Sequence, residues 1–186
     1  GLFALSGITG RSSHTYLFDD AGVMRAELRS GGSAAHRFEV VDGIYQIRSF
    51  DLSNMTVVVG ETGYIVIDPL VTAECAAAGM ELVREHLGDR PVTAVIYSHS
   101  HVDHFGGVKG VISAEDAAAR NVPIIAPADF MDHAISENVY AGNVMARRAA
   151  YMFGPLLPRG PQGQVGAGLG TTNSTGSITL LEPTIS

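Results

Sequence analysis

The chain has 186 residues, of which 46% are hydrophobic and 17% charged, with a net charge of −7 and a pI near 5.4. This is the composition of a globular chain long enough to bury a core, and it excludes a disordered one. The acidic balance, with no Lys/Arg run, argues against nucleic acid as a partner, and no apolar run has the length to span a bilayer.

The opening Gly1-Leu2-Phe3-Ala4-Leu5 lacks the basic flank and full apolar stretch of a signal peptide as it stands. Residues 1–35 are weakly patterned, with turn signals at Ser12-Ser13, Asp19-Asp20-Ala21-Gly22 and Ser30-Gly31-Gly32-Ser33. One short helix is expected over Val23–Leu28. This segment reads as an N-terminal extension without an assigned role. His14 and His36 are isolated and read as surface or core-edge residues.

From Phe38 the pattern sharpens. Val40-Val41, a turn at Asp42-Gly43, and Ile44–Arg48 alternate as strands do. Met55–Val59 and Tyr64–Ile67 flank Gly60-Glu61-Thr62-Gly63, a hairpin of β-branched runs around a glycine-bounded loop. Asp68-Pro69 ends the second of them. That aspartate either caps the turn or orients a ligand from behind. Thr72–Leu87 predicts an amphipathic helix, with Thr72 as cap, Ala76, Met80, Val83 and Leu87 on one face, and Gly88 as stop. Cys75, the single cysteine, falls in this helix. It excludes an internal disulfide and reads as a small buried residue, not a nucleophile. His86 in the last turn reads as structural.

Thr93–Tyr97 is a short apolar run suited to a buried strand. His99-Ser100-His101-Val102-Asp103-His104 follows, with Phe105-Gly106-Gly107 after it. Three imidazoles and a carboxylate at the end of a strand sit where open α/β sheets place ligands. Such donors suit zinc, iron or manganese. His99 and His101, two apart in an extended segment, can grip one ion, and Asp103 and His104 can face a second. Gly106 and Gly107 are expected to let the backbone turn tightly against this cluster.

Ser113-Ala114-Glu115-Asp116 looks like a capping box opening a helix to Arg120, and Pro123–Ala126 a short strand. A long helix is expected from Pro127 or Asp129 to about Phe153, stopped by Gly154-Pro155. On it His133 reads as a surface residue and Arg147-Arg148 as solvated or salt-bridged. Phe130, Tyr140, Tyr151 and Phe153 offer one wall of an apolar groove. Residues 156–176 are glycine-rich and must lie over other structure, and Ser177–Leu181 is one more candidate strand.

The pattern His99-x-His101-x-Asp103-His104 resembles the signature of the metallo-β-lactamase superfamily. That resemblance implies an α/β fold, the αββα sandwich, and a one- or two-metal hydrolytic site. His99 and His101 would hold the first metal, Asp103 and His104 the second. Zinc is the expected ion, and Asp103 the catalytic carboxylate. It also favours an orienting role for Asp68.

Three further stretches resemble the linear and secondary alkyl sulfatases of that superfamily: Arg48-Ser49-Phe50-Asp51-Leu52-Ser53-Asn54-Met55-Thr56, residues 136–148, and residues 157–164. The similarity runs from about Phe38 to Ser186. Complete alkyl sulfatases are much longer, with dimerisation and sterol-carrier-like domains after the catalytic domain. The resemblance therefore implies that residues 36–186 are the N-terminal part of a catalytic domain, one half of the sandwich. Further ligands and the sulfate-binding groups would come from additional polypeptide. The implied reaction is hydrolysis of an alkyl sulfate to alcohol and sulfate with two zinc ions. A homodimer and a periplasmic or secreted location are implied with it. The metal motif alone equally allows a lactonase, thioesterase or phosphodiesterase, and a non-catalytic fragment holding metal weakly is the competing reading of another class. Half a sandwich is expected to leave an open apolar face or an unpaired edge.

Overall fold

The computed structural model describes residues 3–6, 13–18, 24–30, 33–34, 37–48, 50–160, 162–164, 166–167 and 173–186, with side chains from residue 39 onward. His36 and Ser49 lie outside the described residues, and His14 is described by its backbone alone.

The first four described segments form an antiparallel sheet: β1 (Phe3–Ser6), β2 (Ser13–Phe18), β3 (Met24–Ser30) and β4 (Ser33–Ala34), in that order. The helix expected at Val23–Leu28 is instead β3, paired with β2 from Phe18↔Met24 to Ser13↔Arg29. Six residues are too few to separate a helical period from a strand period, and cross-strand pairing decides.

The second sheet has six strands in the order β10-β9-β8-β7-β6-β5. Its members are β5 (Arg37–Val41), β6 (Ile44–Ile47), β7 (Met55–Val59), β8 (Tyr64–Ile67), β9 (Val92–Ile96) and β10 (Ile124–Ile125). β5 to β8 are antiparallel neighbours, whereas β8, β9 and β10 run parallel. The crossover from β8 to β9 is α1 (Ala73–Leu87). Thr72 caps it by accepting from Cys75 N, and Gly88 ends it at φ 92°, a value glycine tolerates.

Side-chain alternation puts Tyr45, Val57, Val66, Val95 and Ile124 in one cross-strand row, all buried. Cys75, Ala76, Gly79, Met80 and Val83 of α1 close over that face. Met80 and Val83 are fully buried and contribute roughly 1.5–3 kcal/mol each. The opposite row, Gln46, Thr56, Ile67, Ile96 and Ile125, is partly buried.

Beyond β9 come a 3-10 turn (Val102–His104), α2 (Val108–Val111) and α3 (Ala114–Ala119). Ser113 caps α3 by accepting from Asp116 N, as the capping box predicts. The single long helix does not form. Its place is taken by α4 (Phe130–Ile135), a π-turn (Ser136–Tyr140) and α5 (Gly142–Phe153). The groove wall does not form either. Phe130 is a core residue stacked on Tyr97 at 5.1 Å, Phe153 packs beside Leu52 and Val71, and Tyr140 and Tyr151 are 86% and 93% exposed. A 3.6-residue period shows which residues share a face, but not whether anything covers it.

Ser177–Leu181 is no strand but part of an extended strap. Ser177 O accepts from Ala73 N, Thr179 N donates to Gly106 O, and one bridge joins Ile185 to Ile125. At the strap's start Ser174 donates from N and Oγ to Asp51, a buried carboxylate that also accepts from Leu52 N and Val71 N. Burial pushes the Asp51 carboxyl above the usual carboxylate range, against the pull of those donors.

Candidate metal centre

β8 and β9 are parallel, so their C-terminal ends open side by side. Asp68 follows β8 and Ser98 follows β9. Asp68 has φ 57° and Leu70 φ 64°, left-handed values that non-glycine residues seldom adopt. The corner holds because Asp68 N donates to Ile96 O, and the Asp68 carboxylate accepts from Ser98 N and Ser98 Oγ at 2.8 Å each. Turn cap and ligand support are thus one arrangement, since Asp68 Oδ2 also lies 2.9 Å from His104 Nδ1.

Gly106 and Gly107 serve a purpose other than the expected one. Neither has a positive φ. Their need is space: a Cβ on Gly106 would overlap Val71 O, on Gly107 Pro69 O, and on Gly110 Ala73 O. The glycines let the backbone after the ligand loop press against the β8–α1 loop that carries Asp68.

The structure brings His99, His101, Asp103 and His104 together. His99 Nε2 lies 2.8 Å from His101 Nδ1, and His104 Nε2 lies 3.3 Å from Asp103 Oδ2. The His99 and His104 ring centres are 4.1 Å apart. Every ring is held from behind by its other nitrogen. His99 Nδ1 meets Ser98 Oγ at 2.9 Å, His101 Nε2 meets Glu137 Oε1 at 2.8 Å, and His104 Nδ1 meets Asp68. Ser53 Oγ donates to the Asp103 carbonyl and fixes the turn.

These outer partners set the tautomers. Ser98 Oγ gives its proton to Asp68, so His99 Nδ1 must donate to that oxygen and Nε2 keeps its lone pair. The Glu137 carboxylate takes the Nε2–H of His101, which leaves a second lone pair at Nδ1. Two lone pairs facing at 2.8 Å need a positive charge between them, either a proton or a metal ion. The donor set therefore fits a zinc-type ion. Among the described residues no three such side chains surround one point as they stand. Two nitrogens on one tetrahedral zinc lie about 3.3 Å apart, so the imidazole pair must open slightly to admit one.

The electrostatics couple cation uptake to proton release. Burial, with the neighbouring His104 and His101, lowers the His99 pKa, so that ring is neutral at pH 7. Burial raises the Asp103 carboxyl, but its bond to His104 and that ring's charge hold it below the usual carboxylate value. Burial alone would lower His104. The Asp103 and Asp68 carboxylates on its two nitrogens outweigh this and push it up to about 9. Below that pH His104 is an imidazolium, and a metal must displace its proton. Metal affinity is therefore expected to rise with pH up to about 9, with roughly one proton released per ion taken at His104 near neutrality. Calorimetry in buffers of different ionisation enthalpy measures that proton. Affinity that stays flat between neutral pH and 9 would contradict it.

The metallo-beta-lactamase superfamily model matches residues 48–180, which include every side chain of this centre. The chain belongs to the metallo-beta-lactamase superfamily. Within this superfamily, it is 56% identical over 147 residues to a linear primary-alkylsulfatase of Pseudomonas sp., covering 79% of this chain and 22% of that protein. It is 47% identical over 149 residues to an (R)-specific secondary-alkylsulfatase of Pseudomonas sp., covering 80% of this chain and 22% of the other. The solved stereoselective inverting sec-alkylsulfatase Pisa1 from Pseudomonas sp. superposes with a TM-score of 0.75 at 46% identity, over 82% of this chain and 24% of that one. The chain thus spans under a quarter of the length of the relatives it matches. The expected fold class stands, as a part of the metallo-beta-lactamase fold.

In this member of the superfamily, the supporting groups Ser53, Ser98 and Glu137 have no signal in the sequence. A lone glutamate on a helix usually faces water, and no local pattern announces that Glu137 meets a histidine 36 residues earlier. His133 is exposed on α4, and His86 Nδ1 lies 3.1 Å from Leu82 O, its own helix's carbonyl. Cys75 is buried with its thiol donating to Phe50 O, as a small core residue.

Proposed function

We propose that this chain is the N-terminal part of the catalytic domain of a zinc-dependent alkylsulfatase. The complete protein hydrolyses alkyl sulfate esters to an alcohol and inorganic sulfate. The observation that carries this is the pairing of His99 Nε2 with His101 Nδ1 and of His104 Nε2 with Asp103 Oδ2, the His99 and His104 rings 4.1 Å apart, within a segment 56% identical to a linear primary-alkylsulfatase.

In this reading His99 and His101 hold one zinc, and Asp103 and His104 hold a second. When bound, zinc supplies Lewis acidity, bringing the pKa of water near 7 and offsetting charge on the sulfate. Ser98 and Asp68 keep the His99 and His104 rings facing inward. Asp103, ionised at neutral pH, keeps Oδ2 beside His104 Nε2, where it would hold the metal with that ring. Asp68 ties the ends of β8 and β9 so that these donors keep their spacing. Additional polypeptide supplies the remaining ligands, the sulfate clamp and the alkyl groove, and the complete protein is a homodimer in a periplasmic or secreted setting.

The test uses the full-length protein. Dialysis against a strong chelator is expected to abolish alkyl sulfate hydrolysis, and added zinc to restore it. Hydrolysis that survives chelation removes the metal assignment. A panel of alkyl sulfates, lactones, thioesters and phosphodiesters separates the sulfatase from the other hydrolases of the superfamily. Turnover confined to one of the latter classes would refute the substrate.

A further inference from the structure

The π-turn at Ser136–Tyr140 is unusual, because an extra residue in a helix costs regular hydrogen bonds. Here Ala141 N donates five residues back to Ser136 O. The Ala134 carbonyl accepts instead from the Asn138 side chain at 2.8 Å. That same Asn138 amide donates to Ser100 O at 3.1 Å. Ser100 Oγ donates to Glu137 Oε2 at 3.2 Å, and Glu137 Oε1 lies 2.8 Å from His101 Nε2. Two consecutive residues of the widened turn therefore hold the middle of the ligand loop by backbone, hydroxyl and imidazole together.

We propose that Glu137 is a positioning residue for the metal centre: it fixes the tautomer and orientation of His101 by accepting from Nε2–H, leaving Nδ1 to face His99. His101 needs this support more than its neighbours do. Its side chain is 53% exposed, against 23% for His104, so packing alone does not set the ring. His99 and His104 are anchored by Ser98 and Asp68 from their own sheet. His101 takes its anchor from a separate element. The π-turn thus borders the site, and Glu137 is its contact with a ring of the candidate ligand set. The inference rests on the metal reading above.

The experiment measures zinc affinity of the full-length protein by competition with a chromophoric chelator. Wild type must first bind zinc stoichiometrically; failure there overturns the metal reading and this inference with it. Glu137→Ala is expected to weaken zinc by about 10- to 100-fold, and Glu137→Gln, whose amide oxygen still accepts, to recover most of that loss. In a His101→Ala background, Glu137→Ala is expected to add less than about twofold, because its effect runs through that ring. If the alanine variant does not fold, Glu137→Asp keeps the charge but withdraws the oxygen and enters the same cycle. Unchanged zinc affinity with a lowered melting temperature would mark Glu137 as merely structural and overturn the inference. So would an equal loss with and without His101.

Discussion

Replacing Asp103 by alanine in the full-length protein is expected to remove one metal ion and to lower alkyl sulfate hydrolysis by roughly a thousandfold or more. The magnitude follows from losing several kcal/mol of Lewis-acid stabilisation at about 1.4 kcal/mol per factor of ten. The structure shows why the effect concentrates here. Asp103 Oδ2 lies 3.3 Å from His104 Nε2, on the inward side, while Asp68 holds the outer nitrogen. Without Asp103 the Nε2 side of His104 loses its anionic partner, and one of the four candidate donors is gone. The turn keeps the bond from Ser53 Oγ to the Asp103 carbonyl, although the bond of the carboxylate to its own backbone N–H is lost. Metal content by mass spectrometry and initial rates on an alkyl sulfate test this together. A variant with full metal content and a wild-type rate would show that Asp103 is not a ligand.

Gly107→Ala is expected to cost about 3 kcal/mol or more in stability, at the upper end of what overpacking produces. A Cβ there would meet the carbonyl oxygens of Pro69 and Thr72 and the Ala76 methyl, and two of those three neighbours are backbone that cannot rotate away. Gly107 N also donates to Leu70 O at 2.9 Å, so relief by shifting breaks a buried bond. Because Asp68 sits on the displaced loop and His104 three residues before Gly107, metal affinity should fall with stability. Gly142→Ala is the control. Nothing lies within 4 Å of a Cβ at Gly142, in the first turn of α5, so that change is expected to be neutral or slightly stabilising. Chemical denaturation of the three proteins decides. Equal stability of Gly107→Ala and wild type would mean the two loops are not in close contact.

The uneven legibility of the chain has a common cause. Thr72, Ser113 and Gly88 end helices through groups within four residues, and each was readable because its partner is local. The paired runs at 55–59 and 64–67 were readable because alternation and a short loop fix their register. Met24–Ser30 was misread because its state depends on β2, and the 127–153 helix because its break depends on the ligand loop. Ser177–Leu181 reads as a strand but forms a strap, because its hydrogen bonds go to α1 and Gly106.

The sequence by itself determined the donors: three imidazoles and a carboxylate in six positions after a strand, whose identity and spacing are properties of covalent order. Only the tertiary structure decided which nitrogen of each ring faces inward, because that is set by Ser98, Asp68 and Glu137 on other segments. It also decided why Gly106 and Gly107 are glycine. Two backbones from opposite ends of a crossover meet there, and the excluded volume between them has no counterpart along the chain.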